Sequence, residues 1–177
     1  MGTDAPITNP LPRDTANTTR VRSAPPMVEV VIEIPRWSFV KRGSRGQVDF
    51  LSPLPCPFNY GSVPDRIGLE GDLLDAVVLG PRLPRGTRVL LPARGAVGLA
   101  ERGYYDDKLI CSLQPLTRAT RRRILLIFRF YSRAKRLLNG LRGRSRQGYC
   151  AGWGDARAAL ARAPFRDEHW RGPRIRF

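Results

Sequence analysis

Apolar and polar side chains alternate along Val28-Glu29-Val30-Val31-Ile32-Glu33-Ile34, placing Val28, Val30, Ile32 and Ile34 on one side and Glu33 on the other. A period of two predicts a strand with one buried face, and Pro35 ends its regular pairing because proline has no amide hydrogen to donate. Lys41 to Asp49 is basic and contains glycine, which predicts a tight hairpin or loop. Three prolines between Ser52 and Tyr60 predict irregular backbone. Asp75 to Leu79 reads as a buried strand closed by a Gly80-Pro81 turn. Arg88 to Leu91, Ala96 to Leu99 and Lys108 to Ser112 predict further short strands, with turns at Gly86, Gly95 and Gly103.

From about Thr117 the apolar period becomes helical, and the helix is expected to run to Leu138 and stop at Asn139-Gly140. Ile124, Ile127, Phe128, Tyr131 and Leu138 form its apolar face, while Arg122, Arg129, Arg133 and Arg136 occupy the other sides. After a Gly/Arg-rich loop, Gly154 or Asp155 can cap a short helix through Ala163. Strands first and helices last, around one core, predict an α+β fold with a small barrel-like sheet.

A chain of 177 residues with 42% hydrophobic content has room for one domain with a real core. Residues 1–27 lack apolar periodicity and are rich in Pro, Thr, Ser and Asn, so they are expected to form a disordered tail. The domain is placed at 28–163 and an irregular tail at 164–177. The N-terminal stretch has no apolar h-region of a secretory signal; Arg13, Arg20 and Arg22 give it some transit-peptide character, which Asp4 and Asp14 oppose. The best apolar run, Ile124 to Phe128, stops at Arg129, so no membrane span is expected. Cys56, Cys111 and Cys150 are odd in number and form no Cys-x-x-Cys pair, which fits a reducing compartment and argues against zinc. A single histidine, His169, argues against a Ser-His or Cys-His catalytic pair. A cytoplasmic location is the expectation.

The chain carries 31 Lys+Arg against 15 Asp+Glu, a formal net charge of +16. The excess is almost all arginine, in a chain also rich in Ala, Gly and Pro, and genome-wide composition explains it better than selection for nucleic acid. No acidic residue lies between Lys108 and Asp155, so that half projects a positive field. Against this background the run Glu70-Gly71-Asp72-Leu73-Leu74-Asp75 stands out. In extended backbone Glu70 and Asp72 point to one side and Asp75 to the other, so the three converge only if the chain turns near Gly71. Converging carboxylates repel unless a proton or cation joins them, and a hard divalent ion such as Mg²⁺ or Mn²⁺ suits oxygen ligands.

In order along the chain, Val31-Ile32-Glu33-Ile34-Pro35, Pro57-Phe58-Asn59-Tyr60-Gly61, the acidic run itself, Asp106-Asp107-Lys108-Leu109, Phe128-Arg129-Phe130-Tyr131 and Gly152-Trp153 resemble soluble family I inorganic pyrophosphatases. The similarity spans Val28 to Ala163. It implies a five-stranded OB-like β-barrel flanked by a long helix and a short C-terminal helix, hydrolysing pyrophosphate to two phosphates with Mg²⁺, or Mn²⁺ in its place. It also implies that Glu70, Asp72, Asp75, Glu101 and Asp106 hold metal. Asp72 would help activate water, Glu33 would add a further acidic group, and Lys108, Tyr60, Tyr131 and Arg42 would contact phosphate. Asp72, Glu33, Lys108 and Tyr60 make up the implied catalytic set. A homo-oligomer is expected; its size is left open because Leu126, Phe130 and Arg133 differ from the polar residues expected at a hexamer contact.

Several positions depart from that pattern. Glu70 and Glu101 stand where the family has aspartate, Leu73 replaces a proline or acid, and Ser132 replaces a lysine after Tyr131. A lysine-x-glutamate element is absent from Lys41 to Gln47, Phe50 stands at an arginine position and Cys56 at a tyrosine position. Two alternatives therefore remain beside the enzyme. One is a catalytically impaired relative that binds phosphate compounds or a partner. The other, ranked last, is a nucleic-acid-binding barrel using Arg118 to Arg146, whose arginines lack the interleaved aromatics that such surfaces use.

Overall fold

The computed structural model describes residues 24–42, 48–51, 55–101, 104–141 and 148–170. The alternating run becomes β1 (Met27–Ile34), with Val28, Val30, Ile32 and Ile34 buried as its period predicts. There follow β2 (Val40–Arg42), β3 (Val48–Leu51), β4 (Asn59–Ile67), β5 (Leu73–Val78), β6 (Arg88–Glu101) and β7 (Tyr104–Cys111). Then come α1 (Arg118–Leu141), β8 (Gly148–Gly154) and α2 (Ala156–Arg162). The order β1-β4-β5-β7-β6, with β6 returning to β1, closes a five-stranded barrel of the OB-like kind expected. All barrel pairings are antiparallel except that of β5 with β7. β2 and β3 pair antiparallel as a small second sheet, and residues 43–47 of the basic segment between them lie outside the described residues.

Several elements differ from the sequence expectation, and β7 begins at Tyr104, four residues before the strand expected from Lys108. Arg88 to Leu99 is not two strands with a turn at Gly95 but one strand, β6, bulged between Ala93 and Gly95. Gly95 serves close approach instead: a Cβ there would lie 2.4 Å from the Trp153 indole. β4 begins inside the expected irregular stretch, at Asn59. It has no clean alternation, because Gly61 must pass the β1 backbone, where a Cβ would lie 1.9 Å from Val31 O, and Pro64 sits in a bulge between Val63 and Ile67. β8 was not foreseen; its glycines give no strand signal, and it forms by pairing with the second half of β6. Finally α1 continues through Asn139-Gly140, since a helical glycine costs only about 1 kcal/mol and is a preference rather than a stop. The expected turn at Gly103 and the N-terminal tail lie outside the described residues, apart from 24–27.

The two faces of the barrel wall have separate cores. Val30, Ile32, Val63, Leu74 and Leu109 point inward with Ala156 and Ala159 of α2 and Ala163 at its C-terminal cap. Val77, Val97 and Ile110 point outward and are covered by Ile124 and Phe128 of α1. Thr117 caps α1, its Oγ1 accepting from Thr120 N–H at 3.1 Å. Asp155 caps α2, accepting from Arg157 N–H at 2.9 Å and Ala158 N–H at 3.0 Å. Among the described residues no helix is long and apolar enough to cross a membrane.

Candidate metal centre

Strand parity determines what lies on the outer face beyond the cover of α1. Asp75 shares its side of β5 with Val77, and Asp106 and Lys108 share theirs of β7 with Ile110. The parallel register sets Asp75 opposite Lys108. On β4, Ser62 stands opposite Asp75, and its hydroxyl donates to Glu33 Oε1 at 2.7 Å. Glu33, Ser62, Asp75 and Lys108 thus form a polar row across four strands, beside the apolar patch of Val77, Val97 and Ile110. Ser62 had no place in the sequence reading; its only signal was position two after Tyr60 on an unrecognised strand.

The loop between β4 and β5 brings Glu70 to this row. Gly71 takes φ +86°, Gly71 N–H donates to Gly68 O at 2.9 Å, and Gly68 N–H donates to Asp72 O at 2.8 Å. This turn brings together residues of opposite parity: carboxylate oxygens of Glu70, Asp75 and Asp106 lie within 4.8 Å of one another. Asp72 is not in that group, and its Oδ1 accepts from Leu73 N–H at 2.8 Å. Glu101 ends β6 opposite Tyr104, and Arg42 ends β2 opposite Val48; their side chains lie outside the described residues. Tyr131 continues the helix face of Ile124 and Phe128, but it is 42% exposed.

Lys108 is buried and its Nζ contacts both Asp75 and Asp106. Burial alone would lower its pKa, but Asp75, Tyr60, Asp106 and Glu70 outweigh that and hold the ammonium well above its usual range. Burial, then the charge of Asp75, keeps the Tyr60 hydroxyl protonated far beyond its ordinary limit. Burial also pushes Glu70 up to about 7, with Lys108 opposing and Asp106, Asp75 and Asp72 reinforcing the push. Among the described residues, three carboxylates therefore crowd around one buried lysine. An all-oxygen donor set in that condition fits a hard divalent cation.

Upstream, Asn59 fixes the base of Tyr60. Fully buried, it accepts from Arg36 N–H at 3.0 Å and Leu83 N–H at 2.9 Å and donates to Pro81 O at 2.8 Å. It thereby ties two loops to the start of β4.

A family model described as inorganic pyrophosphatase matches residues 30–124, more than half of the chain. Inorganic pyrophosphatase from Haemophilus influenzae is 35% identical over 94 residues, covering 48% of this chain and 53% of that protein. The one from Saccharolobus solfataricus is 31% identical over 97 residues, covering 50% and 56%. The chain spans about half the length of the curated relatives it matches. The crystal structure of inorganic pyrophosphatase from Thermus thermophilus superposes with a TM-score of 0.64 at 26% identity, covering 79% of this chain and 88% of that one.

Proposed function

The chain belongs to the inorganic pyrophosphatase family, and on that premise we propose that it hydrolyses inorganic pyrophosphate to two phosphates. The proposed cation is Mg²⁺, with Mn²⁺ as a substitute, held by Glu70, Asp75 and Asp106, with Asp72 and Glu101 as further ligands. The observation that carries this reading is the convergence of Glu70, Asp75 and Asp106 around Lys108. A divalent ion there supplies charge neutralisation on phosphate oxygens and acidification of water.

The residues of the chain then have separate tasks. Asp72, its carboxylate oriented by the Leu73 amide, accepts a proton from the attacking water. Lys108 stays an ammonium and would donate to a phosphate oxygen. Tyr60, kept protonated, donates a second hydrogen bond. Tyr131 and Arg42 complete the grip, and Glu33, fixed by Ser62, supplies the outer acidic group. The proposal includes a single catalytic domain at 28–163, acting in the cytoplasm as a homo-oligomer.

Colorimetric phosphate release from pyrophosphate, with and without Mg²⁺, tests it: release is expected only with the metal and is lost in Asp72→Asn. Full activity in Asp72→Asn would remove the role given to that residue. One observation favours a second reading, a relative that binds phosphate compounds without turnover: Lys108 is held by Asp75 and Asp106 rather than presented outward. Metal-dependent binding of pyrophosphate without release would select that reading.

A further inference from the structure

After α2 the chain doubles back along the end of β4. Ile67 N–H donates to Pro164 O at 3.0 Å, Phe165 bridges to Arg66, and Arg166 N–H donates to Asp65 O at 2.8 Å. Arg66 adds side-chain ties, to Ala163 O at 3.1 Å and over the Phe165 ring at 3.6 Å. A turn closed by Trp170 N–H on Asp167 O, at 3.0 Å, then brings Trp170 to the hairpin loop. There the indole Nε1–H donates to Gly71 O at 3.1 Å. Glu168 and His169 beside it are exposed, whereas Trp170 is half-buried.

The Gly71 carbonyl belongs to the peptide between Gly71 and Asp72, at the point where the loop takes φ +86°. Glycine leaves the orientation of that peptide soft, because no Cβ restricts it. A net change in Gly71 ψ or Asp72 φ turns the segment that carries Glu70 relative to the one that carries Asp72 and Asp75. Glu70 also carries one more rotatable bond than an aspartate would, so its aim depends more heavily on a fixed backbone. We propose that Trp170 is a positioning residue whose indole N–H holds the Gly71–Asp72 peptide and so aims Glu70 at Asp75 and Asp106 for a divalent cation. This rests on the metal reading given above.

The test uses the full chain and Mn²⁺ alone, with free Mn²⁺ read by electron paramagnetic resonance. Trp170→Phe keeps a ring but loses the donor; Mn²⁺ affinity is expected to fall by about three- to tenfold, the range of one neutral hydrogen bond. Trp170→His restores a ring N–H and is expected to recover part of the loss. Amides of residues 68–73 are expected to exchange faster in Trp170→Phe, while its melting temperature stays at the wild-type value. Equal Mn²⁺ affinity in the wild type and both variants overturns the positioning role alone. Absence of Mn²⁺ binding in the wild-type chain overturns the metal reading, and the positioning role falls with it.

Discussion

Asp106 and Asp107 are neighbours on β7, and the strand sends them to opposite sides of the barrel wall. Asp107, 6% exposed, meets Arg162 of α2 in a two-pronged pair, with Nε on Oδ2 at 2.9 Å and NH2 on Oδ1 at 3.0 Å. The Arg162 guanidinium also lies 5.3 Å from the centre of the Tyr105 ring. One carboxylate there meets one guanidinium of matching shape, and charge balances. Asp106, on the other side, shares Lys108 with Asp75 while Glu70 crowds the same space. Side-chain type does not separate the two residues; stoichiometry does. A balanced pair fastens a helix to the barrel, whereas an excess of carboxylates leaves a place for a cation.

The largest expected effect breaks the outer side. Asp106→Asn should lower Mg²⁺-dependent phosphate release on the order of a hundredfold or more, because the ion's contribution to charge stabilisation is worth several kcal/mol. The fold should persist, which circular dichroism melting checks. The inner side should respond in the opposite way. Arg162→Ala leaves the Asp107 charge buried without its partner, and stability should fall by about 3 kcal/mol in urea unfolding, with activity per folded molecule retained. If Arg162→Ala instead lost activity at full stability, the two faces would not be separate.

A smaller effect concerns pH. In the metal-free chain Glu70 titrates near 7 rather than its ordinary 4.5, so the folded state keeps a proton that the unfolded state has released. The stability contributed by this group therefore falls as pH rises through that window. Glu70→Gln should flatten this fall, measured as urea midpoints at both ends of the window without divalent ions. An unchanged slope would mean that Glu70 is neither buried nor crowded by Asp106 and Asp75. The smallest expected change is Tyr131→Phe, a loss of about two- to tenfold in pyrophosphate turnover, expressed mainly in KM, as befits one hydroxyl. No change would leave Tyr131 as a partly exposed helix residue only.

What could be read from the sequence divides along physical lines. β1 announced itself because a single periodicity set its burial, and the Asp155 cap was local chemistry; on α1 the expected apolar face is buried at Ile124 and Phe128 but exposed at Tyr131. β4 and β8 were hidden, since Gly61 is there for the close approach of β1, Pro64 sits in a bulge and Gly152 takes φ +111°, none of which reads as strand propensity. In the site, the run from Glu70 to Asp75 was visible as charge out of place, and the turn at Gly71 was required by parity. That turn joined Glu70 to Asp75 and Asp106 rather than gathering Glu70, Asp72 and Asp75. The partnership with Asp106 depends on parallel pairing of β5 and β7, which no local pattern encodes. Ser62 and Trp170 were invisible for the same reason: each matters through a contact formed only on folding.

The outer carboxylates Glu70, Asp75 and Asp106 are proposed as the divalent-cation site, and the inner Asp107 is not. Titration calorimetry of Mg²⁺ into the wild type, Asp106→Asn and Arg162→Ala tests this directly. Binding should be present in the wild type, abolished in Asp106→Asn and retained in Arg162→Ala. Equal Mg²⁺ binding by the wild type and Asp106→Asn would contradict it.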